Sequence, residues 1–269
     1  MSQTARSALN DDRLSIVDHD DRRIVFDGVH NFRDLGGYEL ADGRTIGWGR
    51  LFRADGLYRL TEADIDVIDS LGIRTVVDLR SAGEVADHGC FPIERYPVDF
   101  HALPIMDVTW RDSVIPEVEP GEQGDIDFLT WAYFDMLESG SDRFAHAIRV
   151  LAAPEVGPAV FHCAAGKDRT GVLAALVLGG LGVESDIIVA DYGLTREAMG
   201  RLLSWVKANN PEMAARMGTS PSFMLAANPE AMANVINGLV ADHGSIRDYL
   251  ATIGIDAAVL NALGDNLAG

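Results

Sequence analysis

A short apolar run, Pro158-Ala159-Val160-Phe161-His162, is followed by a loop of small residues and then by Thr170 to Leu181, where nearly every side chain is apolar. Such a strand has no polar face to offer water, and neither does the helix behind it. Strand, short loop and buried helix in that order require a parallel sheet covered on both faces. The fold class is therefore α/β, with a central, mostly parallel sheet flanked by helices. Ile73 to Leu79 supplies another central strand. It is preceded by a helix that Thr61 can cap, with Ile65, Ile68 and Leu71 spaced along one side and Gly72 at its end. Arg50 to Ala54 reads as a shorter strand, and Ala41-Asp42-Gly43-Arg44 as a hairpin turn.

Around these elements the organisation is simple. Residues 1–23 are polar and expected to be loose, and 24–269 read as a single domain. Val108 to Gly124 holds Pro116, Pro120, Gly121 and several acids and reads as a surface loop or flap. A helical pair is expected from about Asp127 to Leu151, and from Glu197 onward everything reads helical, with breaks near Pro211, Pro221 and Pro229.

Charge narrows the choice of partner. The formal net charge is −19, which opposes binding to nucleic-acid phosphates and stable docking on an anionic membrane. With no apolar leader, the expectation is a cytoplasmic protein. Two cysteines cannot build a disulfide framework or a Cys-rich zinc site, and no HExxH occurs, so no metal or other cofactor is expected. Oligomeric state is not legible. Of 22 basic residues only Lys167 and Lys207 are lysines.

One of those lysines lies in the stretch that carries chemistry, His162-Cys163-Ala164-Ala165-Gly166-Lys167-Asp168-Arg169-Thr170-Gly171. A loop of small residues ahead of a helix N-terminus can turn successive amides toward one centre, which makes an anion site. The same field favours a thiolate at Cys163 as a nucleophile. Arg169 can grip two phosphate oxygens at once, which a lysine cannot do. It is not a nucleotide-binding P-loop, because Phe161 stands where the first Gly belongs and Asp168 follows Lys167. The plainer alternative is an inert buried Cys before a core helix.

These residues resemble the signature of the cysteine-dependent protein tyrosine phosphatase superfamily. Asn31-Phe32-Arg33-Asp34-Leu35-Gly36-Gly37, Leu51-Phe52-Arg53, Val77-Asp78-Leu79-Arg80-Ser81 and Ser245-Ile246-Arg247-Asp248-Tyr249-Leu250 extend the likeness to a bacterial branch with a secreted mycobacterial member. The resemblance implies a metal-independent, two-step hydrolysis of phosphate monoesters. Cys163, Arg169 and Asp168 would be catalytic, and Ala164, Ala165, Gly166, Lys167 and Thr170 would bind substrate. Asp168 takes the role of general acid by likeness to the mycobacterial enzyme, with pairing to a nearby Arg as the structural alternative. Asp107 is a second candidate acid on a separate loop, or else a solvated charge. Asp78 would either support the loop through Lys167 or Asp168, or pair with Arg80 or Arg53. Thr170 would stabilise the Cys163 thiolate unless it is merely a helix residue, and Lys167 is otherwise surface charge. Cys90 is expected to be buried or half-buried.

Met199, Met213, Met217 and Met224, with Met232 further on, suit a mobile cover. Family members carry a helical lid there, so residues 197–240 are expected either to form one or to pack as ordinary core. Phosphotyrosine protein is the first expected substrate, with phosphoinositide or dual-specificity activity second, a lysine in the loop being a feature of lipid phosphatases. A sulfurtransferase, an arsenate reductase and a non-catalytic phosphate-binding module complete the alternatives.

Overall fold

The computed structural model describes residues 14–107, 117, 119–218 and 222–269. Five short strands form one sheet: β1 (Arg33–Asp34), β2 (Leu51–Ala54), β3 (Thr75–Asp78), β4 (Asp99–Ala102) and β5 (Ala159–His162). Their order is β1-β2-β5-β3-β4, with β1 antiparallel to β2 and the other pairs parallel. The register aligns Ala54, Asp78 and His162, the last residues of β2, β3 and β5. Three loops therefore leave the same edge side by side, and in open parallel sheets that edge is where ligands bind.

Side-chain alternation divides the core in two. Phe52, Val76 and Val160 pack with Phe26, Phe32, Leu57, Ile68 and Phe91 on one face, under α1 (Glu62–Ser70). Leu51, Val77 and Phe161 point the other way. There they meet α3 (Glu122–Ser139), α4 (Ser141–Leu151), α5 (Asp168–Gly180) and α6 (Ser185–Gly193), with α10 (Pro229–His243), α11 (Ile246–Thr252) and α12 (Ala257–Leu267) behind. Burial on both faces explains why these strands carry apolar runs rather than alternation.

Local signals set the element ends. Thr61 and Asp64 form a capping box at the start of α1, and Gly72 beyond it takes φ +63°. Ser81 and Glu84 form another at α2 (Ala82–His88). The Asp42-Gly43 turn closes with Leu40 N–H donating to Arg44 O at 2.8 Å.

Some expectations need correction. Residues 14–23 are not loose. Val17 is buried, and buried Arg22 donates to the carbonyls of Ile16, Val17, Asp34 and Gly36 while lying over the Tyr38 ring. The helical pair starts five residues early, at Glu122, so the end of the expected flap is helix; residues 108–116 and 118 of that flap lie outside the described residues. β4, α2 and α6 were not anticipated. Cys90 is exposed rather than buried. Among the described residues no helix is long and apolar enough to cross a membrane.

Candidate active site

β5 delivers Cys163 to the ligand-binding edge of the sheet, where it is only 2% exposed. The chain then turns back through Gly166, at φ +64°, before α5 begins with Asp168 and Arg169. Gly166 is required twice over, by its left-handed backbone and by contact: a Cβ there would lie 2.6 Å from Ala54 O. Among the described residues the amides of Ala165, Gly166 and Lys167 have no acceptor. Three free N–H groups at a helix N-terminus are an anion site in waiting.

Arg169 is held above this loop by Glu84. Its two terminal nitrogens meet the two Glu84 oxygens at 2.5 and 2.8 Å. Burial alone would raise the Glu84 carboxyl, but the guanidinium outweighs it and holds the group at about 2. Glu84 Oε2 also accepts the Ser81 amide at 2.9 Å, so the capping box of α2 fixes the arginine. Glu84 was not singled out in the sequence, and nothing there showed that its carboxylate faces Arg169.

The loop is held from behind as well. Asn31 Nδ2 donates to the carbonyls of Ala165 and Gly166 at 3.1 and 3.0 Å, Arg53 donates to Gly166 O at 3.0 Å, and Gly56 N–H to Ala164 O at 3.1 Å. The Asn31 and Arg53 motifs thus converge on the back of one loop. Thr170 Oγ1 is buried and has no hydrogen-bond partner among the described residues.

The acidic candidates separate clearly. Asp168 stands beside Arg169, its Oδ1 accepting Tyr133 O–H at 2.8 Å, and Tyr133 is in turn 2.5 Å from the Tyr192 hydroxyl. Both tyrosines are fully buried, and that burial pushes their hydroxyls well above the usual range. Neither tyrosine stood out in the sequence. Asp107 is exposed and forms a bidentate pair with Arg143, each contact 2.8 Å. Asp78 is fully buried against Arg80, with contacts down to 2.6 Å, and 3.7 Å from His162 Nε2. It holds neither Lys167 nor Asp168 by a hydrogen bond; of the alternatives, pairing with Arg80 is what the structure contains.

Lys167 faces away from the expected anion. Its Nζ is buried and donates to the carbonyls of Phe223, Met224 and Ala226 at 3.0, 2.9 and 2.8 Å, with Asp168 Oδ1 at 3.4 Å. Three ammonium protons meet three carbonyls at the end of α9 (Ser222–Leu225), which leaves no donor for phosphate. The segment it holds bridges two clusters: Phe223, Met224 and Ala226 pack on the main core, and Leu225 on a smaller one. Met199, Leu202 and Val206 of α7 (Thr195–Asn209) pack with Met213 and Met217 of α8 (Pro211–Gly218), with Leu225, and with Ala165 of the loop. Met232, on α10, belongs to the main core instead.

Residues 24–269 match the family described as tyrosine phosphatase family. A Cupriavidus necator protein named a candidate tyrosine-protein phosphatase is 31% identical over 252 residues, covering 91% of this chain and 89% of its own. The triple specificity protein phosphatase PtpB of Mycobacterium tuberculosis is 30% identical over 277 residues, covering 90% of this chain and 98% of its own. The crystal structure of P. aeruginosa TpbA aligns over 76% of this chain and 87% of its own at 18% identity, with a TM-score of 0.31 that carries no conclusion. A match over nearly the whole chain, at this identity, shows that the chain belongs to the tyrosine phosphatase family.

Proposed function

We propose that the enzyme cleaves phosphate monoesters through a phosphocysteine on Cys163, with protein phosphotyrosine as its substrate. The observation that carries this is the arrangement of Cys163 in a loop whose Ala165, Gly166 and Lys167 amides have no acceptor among the described residues, with Arg169 clamped by Glu84.

The thiolate attacks phosphorus in line while the amides and Arg169 hold the equatorial oxygens, where transition-state charge resides. The S–P bond forms, the P–O bond breaks, and its electron pair leaves on the substrate oxygen. Asp168 is assigned to protonate that oxygen, a reading supported by its position beside Arg169 and by Tyr133 engaging only its Oδ1. In the second step a water attacks phosphorus, Asp168 takes its proton, and the thiolate departs with inorganic phosphate released. Asp107, tied to Arg143 at the surface, is not given this role.

The printed name of the mycobacterial relative admits a wider substrate range for that protein. Here the loop lysine that would favour a phosphoinositide is engaged by carbonyls, and the net charge of −19 opposes an anionic lipid surface. Both support the tyrosine reading. The test is hydrolysis of p-nitrophenyl phosphate with EDTA present, for wild type and Cys163→Ser, followed by phosphotyrosine peptide, phosphoserine peptide and a soluble phosphoinositide. Turnover lost in the Ser variant and highest on phosphotyrosine is expected. Turnover that survives Cys163→Ser rejects the mechanism, and a phosphoinositide ranked first rejects the substrate.

A further inference from the structure

We infer that Asn31 and Arg53, keyed to the buried carboxylate of Asp191, are positioning residues that aim the loop amides at the bound oxyanion. The inference rests on the phosphatase reading and adds what makes the loop a preformed binder. In a trans peptide the carbonyl and the following N–H point in opposite directions, and the described chain contains no cis bond. Fixing a carbonyl outward therefore fixes the next amide inward. Three consecutive carbonyls are fixed in this way. Ala164 O is held by Gly56, Ala165 O by Asn31, and Gly166 O by Asn31 and Arg53 together. The amides this turns inward are those of Ala165, Gly166 and Lys167, none of which has an acceptor among the described residues.

The donors are themselves locked. Asp55 accepts the backbone amides of His30 and Asn31 at 3.0 and 2.9 Å, so the Asn31 side chain starts from a fixed point. Arg33 Nη1 donates to Asn31 Oδ1 at 2.5 Å, which also sets which end of the amide faces the loop. Arg33 and Arg53 meet on Asp191, at 3.1 Å through Nε and 2.7 Å through Nη1, and Tyr38 O–H adds a contact at 3.1 Å. Burial would raise the Asp191 carboxyl, but the two guanidiniums overcome it and keep the group below its ordinary range. One carboxylate shared by two arginines leaves a positive charge buried behind the loop. That charge attracts an anion on the other side, and little water screens it.

The experiment measures oxyanion binding rather than turnover, in a Cys90→Ser background so that alkylation reports Cys163 alone. Tungstate affinity and the rate of iodoacetamide alkylation at pH 6 are compared for the Cys90→Ser parent and Asn31→Ala, with melting temperature alongside. In Asn31→Ala the dissociation constant for tungstate should rise about tenfold, the equilibrium equivalent of about one hydrogen bond. Alkylation should slow in parallel. Asn31→Ala that melts lower but binds tungstate and alkylates as the parent does overturns the inference, leaving Asn31 a strut. If Asn31→Ala does not fold, Arg53→Lys carries the same expectation, because a lysine cannot fork between Asp191 and Gly166. A parent protein that binds no tungstate defeats the phosphatase reading, and this inference falls with it. Loss confined to the variants separates the two.

Discussion

A methyl group at residue 166 has nowhere to go. The backbone there is left-handed, and the nearest atoms to a Cβ are the Ala54 carbonyl and the Asp55 nitrogen, which belong to the main chain and cannot swing aside. Gly166→Ala is expected to abolish turnover and to lower the melting temperature by several degrees, since left-handed strain alone costs about 1–2 kcal/mol. Unchanged activity would remove the close approach from the argument. At the same scale, Tyr133→Phe deletes the donor to Asp168 Oδ1 and leaves the ring in place. Its effect should depend on the leaving group: small on p-nitrophenyl phosphate, about tenfold or more on phenyl phosphate, whose phenolate needs the proton more. An equal loss on both substrates would show that Tyr133 does not act through the acid. Single residues of the loop were legible in the sequence because Cys163, Arg169 and their small neighbours share one short stretch. Glu84, Tyr133 and Asp191 were not, because only the fold brings carboxylates and hydroxyls from distant segments to it.

Among the elements, the strands and the loop helix were readable from apolar runs, and α1 from its cap and spacing. α6 was not. Its residues 185–193 are apolar on several sides, without the single stripe that marks an amphipathic helix. Asp191 sits in it as a buried charge, a residue type normally read as surface. The helices α7 and α8 raise a different question, because their small cluster touches the loop while remaining apart from the main core, which α9 joins through Phe223 stacked on Phe128. Lys167 is the strongest tie between them. Lys167→Met leaves three carbonyls without their donor, a loss of about 1–3 kcal/mol, and should open residues 195–218 and 222–226 to proteolysis while α10 stays resistant. If cleavage of this segment is no faster in the variant than in wild type, the lysine is not the tie. The sequence placed Lys167 in the right loop but facing the wrong way, since its spacing says nothing about which partner claims the ammonium.

For the molecule as a whole, pH should act through a buried histidine. His162 is fully enclosed between β2 and β3, and burial lowers its pKa below the ordinary 6.5, with Asp78 opposing only in part. Below that pH the unfolded chain takes up a proton that the native chain refuses, so stability present above 6.5 is lost as pH falls through it. Denaturant midpoints between pH 8 and pH 5.5 should fall less steeply for His162→Asn than for wild type, and parallel curves would remove His162 from the account. The site also has a history within each round of synthesis. Its signature ends at Gly171, yet the carboxylate that keys the donors behind the loop arrives with Asp191. A nascent chain can therefore carry the complete signature without yet being able to grip an oxyanion. The competence to bind phosphate is expected to appear abruptly, when α6 closes over the loop, rather than with the emergence of the cysteine.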